Sequence, residues 1–587
     1  MTLAQKFCLT KATPEVVFWL VGGLLFRGVI AFWLAPGFDE AYYYLYSRHL
    51  AWSYFDHPVL VALTTGFGPW LTGEISRFTI RLGALILHTG SLWLLYLTSV
   101  QLFSMQAGRL TLAIATLIPI FQIGFGTLTL PDSPLIFFWS ASLYCAAGEF
   151  FPSASADVSP AYAYRPTYRL TLLSVLVGLA CLGKYHGFVL GLGLVGFCLT
   201  SPRHRCALVS SWAWLGMGLF VITLFPLWFW NSQHDWVSFR FQLSARFVPN
   251  PGVEAVATPP NSALSKPAYN LLSTVGIFFA GIAYLFPSMG FPLWWVSMRS
   301  LINLSLKGRN SLKSGIKPDK LPSKSIWRLP LSTDVSRARD LTLKQLFILW
   351  ISLPLTLGFT LLAGIQQVFP TWPMPGFWGL TLLLGQQATG WQQPGIARWL
   401  KGSGIAVGSL VLVLLLHVTL GILQKPGQYA LMGGLLPPQQ DPSTELLDIR
   451  QLRRGFSESS RLRRKLQAAN FVFTNAYYLG GLIDMALRPL TSVPITCFSN
   501  DMRGFNFWWQ SEQWLGQDAL YITLERFHQM PAVTHEYQTY FSSLTELATI
   551  PIYRGGTLTE VFYVYEAKTL LKPYPASIQL GDRHHPR

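Results

Sequence analysis

The stretch FDEAYYY (residues 38–44) follows directly after an apolar run, residues 15–35, that is long enough to cross a membrane. Its adjacent carboxylates, Asp39 and Glu40, are costly to keep at a lipid interface, where ionisable residues are typically functional. A second polar cluster, Asp56-His57-Pro58, follows shortly afterwards. The sequence therefore predicts that a short polar loop behind the first transmembrane helix holds the active site.

The composition indicates a membrane protein. The chain has 587 residues, of which 51% are hydrophobic and only 12% are charged, whereas soluble domains carry about 25% charged residues. Each apolar run is a candidate for crossing a hydrocarbon layer of about 30 Å. The sequence predicts an α-helical polytopic membrane protein with about eleven transmembrane helices, at 15–35, 80–103, 108–126, 132–150, 168–183, 186–200, 207–230, 271–297, 345–364, 373–388 and 402–423.

Charge predicts the orientation of the chain. Between Arg299 and Lys344 there are eleven Lys and Arg residues against three Asp, and basic loops are retained on the cytoplasmic side. Alternate crossing places the other basic loops and the N-terminus on that side too, and the carboxylates of the polar loop on the opposite, extracytoplasmic side. The net charge of +17 is therefore explained by topology. No basic groove studded with aromatic residues suggests nucleic-acid binding.

Two domains are predicted. Residues 1–430 form a transmembrane domain with a basic cytoplasmic loop at 298–344. Residues 440–587 alternate strand-like stretches (470–474, 493–497, 519–523 and 561–565) with helical ones such as 476–488, which predicts a small extracytoplasmic α/β domain. The expected location is the cell inner membrane, with a cytoplasmic N-terminus and an extracytoplasmic C-terminal domain.

The polar loop is suited to general base catalysis. Asp39 and Glu40 would point about 100° apart on a helix, so they are unsuited to the facing carboxylate pair of a retaining glycosidase. One carboxylate suffices for an inverting transfer, because it needs only to accept the proton of an attacking hydroxyl. The second carboxylate is expected to orient the first, or to hold a cation or a sugar hydroxyl.

Further candidates lie in two other polar breaks. Lys184, beside Tyr185 and His186, could neutralise a lipid phosphate, although interfacial snorkelling is an alternative. Asp132 begins a helix after Leu130-Pro131, so a functional role competes with helix capping.

Three residues have weaker support. His57 could bind phosphate or a metal, or be structural because Pro58 follows it. Arg246, in the loop 231–270, could gather phosphate or lie in a solvated loop. Tyr43 lies within the 38–44 stretch. Glu40 and His57 could together hold a divalent metal, but nothing in the sequence requires one.

The motifs together resemble a known family. Residues 38–44, 54–58 (YFDHP), 130–134 (LPDSP), 183–187 (GKYHG) and the run WN…HDWVSFRFQ from Trp230 to Gln242 look like bacterial dolichyl-phosphate-mannose-protein-mannosyltransferase-like proteins. These are relatives of the lipid A aminoarabinose transferase and have the GT-C glycosyltransferase fold. The resemblance covers about residues 15–400.

The resemblance implies a polyprenyl-monophosphate sugar as donor, Asp39 as base, Glu40 and Asp132 in the same cavity, and Lys184 near the phosphate. The expected function is transfer of a sugar to an acceptor hydroxyl of a lipid, glycan or protein outside the cytoplasm, by an inverting single displacement. The alternative is a transporter or lipid flippase, which favours ionisable residues near the membrane midplane and broken helices in matching halves. We found no such half-repeat.

Overall fold

The structure is a computed structural model that describes residues 13–152, 164–243, 269–313 and 333–575, without the side chains of residues 307–313 and 333–339. Every predicted apolar run coincides with one or two helices. The helices up to residue 420 are α1 Pro14–Trp33, α2 Phe38–Arg48, α3 Leu60–Thr72, α4 Leu82–Leu102, α5 Met105–Leu117, α6 Asp132–Phe150, α7 Arg169–Gly183, α8 Gly187–Thr200, α9 Ser211–Thr223, α10 Phe225–Gln233, α11 Val237–Leu243, α12 Leu271–Leu285, α13 Pro287–Lys313, α14 Thr333–Leu362, α15 Met374–Ala388 and α16 Gln393–Leu420.

The predicted class of polytopic helical membrane protein is confirmed. Among the described residues, four helical stretches are long and apolar enough to cross a membrane alone, at 14–33, 79–102, 340–362 and 393–420. The bent pairs α9 with α10 and α12 with α13 raise this number to as many as six. This number of spans, judged by length and composition, is smaller than the predicted number of about eleven. Several apolar helices are too short to be counted, such as α7 with 15 residues and α8 with 14.

A buried arginine joins the first helices of the membrane domain. Arg27 of α1 is fully buried and donates hydrogen bonds to Gln122 Oε1 at 2.6 Å and to Thr89 Oγ1 at 2.8 Å. A charge inside a membrane domain is stable only with such partners. Arg27 therefore fixes α1 to α4 and to the π-helical turn at Phe121–Phe125.

The C-terminal region is a mixed α/β domain, as predicted. Its five strands have the order β2-β1-β3-β5-β4, with β1 parallel to β2 and β3, and β5 antiparallel to β3 and β4. Its elements are α17 Ile449–Glu458, α18 Ser460–Ala468, β1 Phe471–Thr474, α19 Tyr477–Leu487, β2 Ile495–Cys497, α20 Phe505–Trp508, β3 Ala519–Leu524, α21 Glu525–His528, α22 Pro531–Gln538, β4 Phe541–Arg554 and β5 Thr557–Leu570.

Helix α2 packs into this C-terminal domain, although it belongs to the N-terminal part of the chain. Ala41 and Tyr44 share one apolar cluster with Leu482 of α19. At Gly481 a Cβ would lie 2.2 Å from the carbonyl oxygen of Ala41, so glycine is required for this close approach. The α/β domain therefore lies on the face of the membrane domain that carries the polar loop.

Candidate functional site

The adjacent carboxylates of α2 have different environments. Asp39 is exposed in the first turn of α2, where the partial positive charge of the helix N-terminus favours a carboxylate. Glu40 is 1% exposed and closes the turn by accepting a hydrogen bond from the Gly37 backbone N–H at 3.1 Å. Of the two, only Asp39 is accessible to a substrate.

Glu40 is held in a buried ion pair. Arg81 Nε and Nη2 donate to its two carboxylate oxygens at 2.8 and 2.6 Å, and both side chains are almost completely buried. Arg81 also donates to the carbonyl oxygens of Leu34 and Ala35 at the end of α1. The sequence predicted a substrate contact for Glu40, whereas the structure gives it partners that join the loop to α1 and α4.

Glu40 also positions the loop before α6. Its Oε1 accepts a hydrogen bond from the Thr129 backbone N–H at 3.0 Å, and Leu130 packs against the cluster that contains Tyr43. Since Asp132 follows two residues later, the first polar loop and the start of α6 are held together. The sequence predicted these two segments in one site, and the structure brings them together.

Asp132 and Lys184 form an ion pair. Lys184 Nζ donates to both oxygens of Asp132, at 2.9 and 2.8 Å, and about a tenth of each side chain is exposed. Asp132 makes no capping hydrogen bond for α6, and Lys184 is buried instead of snorkelling. An ammonium has three donors, so the Lys184 N–H not used by Asp132 can serve a ligand.

Helix α11 connects Lys184 to the polar loop. The hydroxyl groups of Tyr185 and Ser238 lie 2.5 Å apart, and Gln242 Nε2 donates to the backbone oxygen of Asp56 at 2.7 Å. His186 stacks on the ring of Phe359 instead, with the ring centroids 5.4 Å apart. The WN…HDWVSFRFQ run is thus a bridge between two of the predicted site segments.

The carboxylate of Asp56 is buried between the polar loop and the C-terminal domain. Tyr46 donates a short hydrogen bond to its Oδ1, and Arg503 Nη1 lies 3.0 Å from its Oδ2. The next residue of the C-terminal domain, Gly504, donates its backbone N–H to the Tyr42 hydroxyl at 2.9 Å. The Asp56 carboxylate is therefore held by Tyr46 of α2 at one oxygen and by Arg503 of the C-terminal domain at the other.

Tyr477 lies at the centre of these charges. The guanidinium carbon of Arg503 is 4.0 Å from the centre of its ring, a cation–π distance. Burial raises the pKa of the Tyr477 phenol, the charge of Arg503 opposes this rise, and the charges of Asp39 and Asp56 add to it. Tyr477 is therefore within electrostatic reach of Asp39, so the C-terminal domain contributes to the surroundings of the expected base.

The metal site that the sequence allowed at Glu40 and His57 does not fit the residues present. Both oxygens of Glu40 are engaged by Arg81, and His57 is 6% exposed with its ring against Tyr43, the centroids 5.5 Å apart. Within the described ranges, no group of three or more His, Cys, Asp or Glu residues is placed to share an ion. Glu40 and His57 therefore do not form a cation site in this arrangement.

Arg246 lies outside the described residues. Five of the predicted positions, Glu40, Asp132, Lys184, Tyr185 and Asp56, belong to one series of contacts, which runs from Glu40 to the Asp132 loop, through Lys184 and Tyr185 to α11, and on to Asp56. Tyr43 and His57 contact each other, and His186 lies against Phe359.

Three contributing residues were missed from the sequence. Arg81 is the one charged residue within the apolar run 80–103, and a charge in such a run was the available signal. Arg503 and Tyr477 come from the distant C-terminal domain, and no local pattern indicates that they meet Asp56.

The chain is similar to known proteins in part of its sequence and in its fold. Residues 56–230 match the family model described as dolichyl-phosphate-mannose-protein mannosyltransferase. The crystal structure of ArnT from Cupriavidus metallidurans in the apo state has a TM-score of 0.54 at 14% identity, covering 93% of this chain and 97% of that one. The same protein bound to undecaprenyl phosphate has a TM-score of 0.52 at 12% identity, with the same coverage. No curated protein matches the chain.

At these identities the match to ArnT shows the fold, which extends over the membrane helices and the C-terminal domain. The matched stretch of this chain begins at Asp56 and contains both residues of the Asp132–Lys184 ion pair, whereas Asp39 and Glu40 precede it. The chain is a multi-pass membrane protein with the GT-C fold of ArnT, and its resemblance to the dolichyl-phosphate-mannose-protein mannosyltransferase family is confirmed over residues 56–230.

Proposed function

We propose that the protein is a membrane glycosyltransferase that moves a sugar from a polyprenyl-monophosphate carrier to an acceptor hydroxyl on the extracytoplasmic face of the inner membrane. The observation that carries this proposal is the series of contacts that joins the five motifs, with Asp39 accessible beside it. The family match and the fold shared with ArnT, which binds undecaprenyl phosphate in one crystal structure, support it.

Asp39 serves as the general base in this proposal. The acceptor oxygen attacks the anomeric carbon, the bond from that carbon to the phosphate oxygen breaks, and the hydroxyl proton passes to the Asp39 carboxylate. The leaving polyprenyl phosphate takes the electron pair of the broken bond, and the configuration inverts in one step. General base catalysis of this kind contributes about 10²–10⁴-fold in rate.

Lys184 is proposed to stabilise the leaving phosphate. Its pairing with Asp132 orients the ammonium in a buried position, and its remaining N–H can donate to a phosphate oxygen. Stabilisation of charge that develops in the transition state is usually a large part of catalysis. Asp56 and Glu40 are proposed as positioning residues, since their carboxylates are engaged by Arg503 and Arg81.

An apolar cavity of about 440 Å³ between α7, α8 and α9 is a candidate for the carrier chain. Leu173, Phe188 and Phe220 are among its lining residues, and Phe188 is four positions from Lys184. An isoprenoid chain anchored there would bring its phosphate end toward the ion pair.

The test is consumption of donor by the purified full-length protein in detergent, with a radiolabelled sugar on undecaprenyl phosphate. A glycosyltransferase releases undecaprenyl phosphate without a sealed membrane, because the reaction is chemical. A transporter or flippase would leave the donor intact under these conditions. Loss of a single sugar unit from envelope glycolipids or glycoproteins of a deletion strain, measured by mass spectrometry, would identify the acceptor.

A further inference from the structure

The C-terminal domain contains a cavity that the proposed reaction does not use. Its volume is about 460 Å³, within the range of about 300–1,000 Å³ that small-molecule sites occupy. We name it the aromatic pocket, after four of the residues that line it: Phe498, Trp509, Trp514 and Tyr574.

The aromatic walls are ordered by mutual packing. Phe498 and Tyr574 stack with centroids 4.8 Å apart at an interplanar angle of 6°, and Trp509 and Trp514 meet at 5.8 Å. Ser511 Oγ donates to the Tyr574 carbonyl at 2.7 Å, which holds the wall in place. Flat aromatic surfaces with polar atoms at their edges suit ligands that have both an apolar and a hydroxylated side.

Two buried polar atoms in this pocket lack partners. Thr496 is 0% exposed, and its Oγ1 has no hydrogen-bond partner among the described residues. The indole N–H of Trp509, also buried, lacks one as well within that part of the chain. Leaving such groups unsatisfied costs about 1–3 kcal/mol each, so the pocket wall holds hydrogen-bonding capacity that the described residues do not use.

The rim defines the charge of the ligand. Gln510 and Glu512 are exposed there, and none of the described lining residues is Lys or Arg. Aromatic faces, unpartnered hydrogen-bonding groups, an amide and a carboxylate together match the alternating C–H and O–H surfaces of a sugar ring. The single carboxylate disfavours anionic sugars and favours neutral or amino sugars.

The pocket adjoins the candidate site through one short segment. Met502 and Asn506 line the pocket, and between them Arg503 and Gly504 contact Asp56 and Tyr42. A ligand in the pocket is therefore bound by the same segment that fixes the polar loop.

We propose that the aromatic pocket binds a saccharide unit of the acceptor, and that this unit is a neutral or an amino sugar. This deepens and rests on the proposed glycosyl transfer, because it requires that the acceptor itself be glycosylated.

The first test measures binding alone. Saturation-transfer NMR is performed on the full-length protein in a detergent without a sugar headgroup, with glucose, glucosamine and glucuronate as separate probes. We expect signals for glucose and glucosamine and none for glucuronate. Trp509→Ala should weaken both signals about fivefold, because one aromatic contact is lost. Glu512→Gln, which changes an exposed side chain, should weaken only the glucosamine signal.

The matched control is Tyr553→Ala, an aromatic side chain exposed on β4 away from the pocket, which should bind like wild type. Absence of signal for all three probes, or equal signals in wild type and Trp509→Ala, would overturn the proposal. Glu512→Gln changes an exposed side chain, so its effect remains readable if Trp509→Ala does not fold.

The second test separates the pocket from the reaction. With a glycosylated acceptor, Trp509→Ala should raise the acceptor KM about fivefold, whereas the control Tyr553→Ala should leave it unchanged. Active wild type with an unchanged KM in Trp509→Ala refutes the pocket but not the transfer. Sugar binding without any consumption of donor refutes the transfer and leaves a saccharide site.

Discussion

Arg503 Nη1 lies 3.0 Å from Oδ2 of Asp56, although 447 positions separate the two residues along the chain. The Arg503 side chain is 25% exposed and that of Asp56 is 3% exposed. The C-terminal domain therefore supplies the counter-ion of a buried carboxylate in the polar loop. Activity and the docking of this domain should be linked through the pair.

Removing the cation should uncouple the domain. Arg503→Met leaves the Asp56 carboxylate buried without its ion pair, and we expect a loss of about 2–4 kcal/mol in the free energy of unfolding, since Arg503 is partly exposed. Thermal unfolding of the purified protein measures this loss. In a double-mutant cycle, Asp56→Asn with Arg503→Met should be less destabilised than the sum of the single variants. Strict additivity would contradict the coupling.

Glu40 should be required for stability. Glu40→Gln leaves the Arg81 guanidinium buried with a neutral partner, and breaking a buried pair in this way costs about 3–5 kcal/mol. The expected result is a large fall in the thermal midpoint. The neighbouring Asp39→Asn is the matched control, because Asp39 is exposed and substitutions of this kind stay within about 0.5 kcal/mol. Equal midpoints for both variants would refute the structural assignment of Glu40.

The contact of α19 with α2 should tolerate no side chain at Gly481. In Gly481→Ala the new Cβ would lie 2.2 Å from the Ala41 carbonyl oxygen, so the helices must separate. We expect increased hydrogen exchange of α2 and a loss of transfer activity of tenfold or more, about 1.4 kcal/mol or more in the barrier. Gly408→Ala is the control, because nothing lies within 4 Å of its added Cβ. Unchanged exchange in α2 would show that the contact is dispensable.

The periodicity of the sequence predicted the strands and helices whose burial is visible in neighbouring residues. Strands β1, β2, β3 and β5 and helix α19 lie where the sequence predicted them, because alternation and apolar runs report local burial. Strand β4 was missed because it is half-exposed and contains Pro551, which sits at the edge of the sheet. An edge strand of this kind lacks the apolar run on which the prediction relied.

The sequence predicted which segments form the site, but it did not predict which side chains form ion pairs within it. Hydropathy and charge placed Asp39, Asp56, Asp132 and Lys184 on one face, because membrane crossing alternates sides. The partners that decide which carboxylate is accessible, Arg81 for Glu40 and Arg503 for Asp56, depend on tertiary packing that leaves no local pattern.

The segment that follows α16 should loosen in acid. Burial alone would raise the pKa of Asp441, but hydrogen bonds from Ser443 and Arg554 outweigh it and lower the pKa below its ordinary value. Because the pKa of Asp441 is lower in the folded than in the unfolded state, its carboxylate stabilises the folded state at pH values above the unfolded pKa of about 3.9. This stabilisation is lost as the pH falls through the folded pKa. Hydrogen exchange of residues 424–445 should rise below pH 4. Asp441→Asn should show the same increase at pH 7, and unchanged protection in that variant would contradict this assignment.

The most direct test of the account is the rate of sugar transfer by Asp39→Asn, measured with the purified full-length protein and a polyprenyl-phosphate sugar. Because Asp39 is exposed and Asn preserves its shape, the variant should fold as wild type does. We expect a loss of about 10²–10⁴-fold in transfer rate, the contribution of a general base. Transfer at the wild-type rate would contradict Asp39 as the base and with it the proposed mechanism.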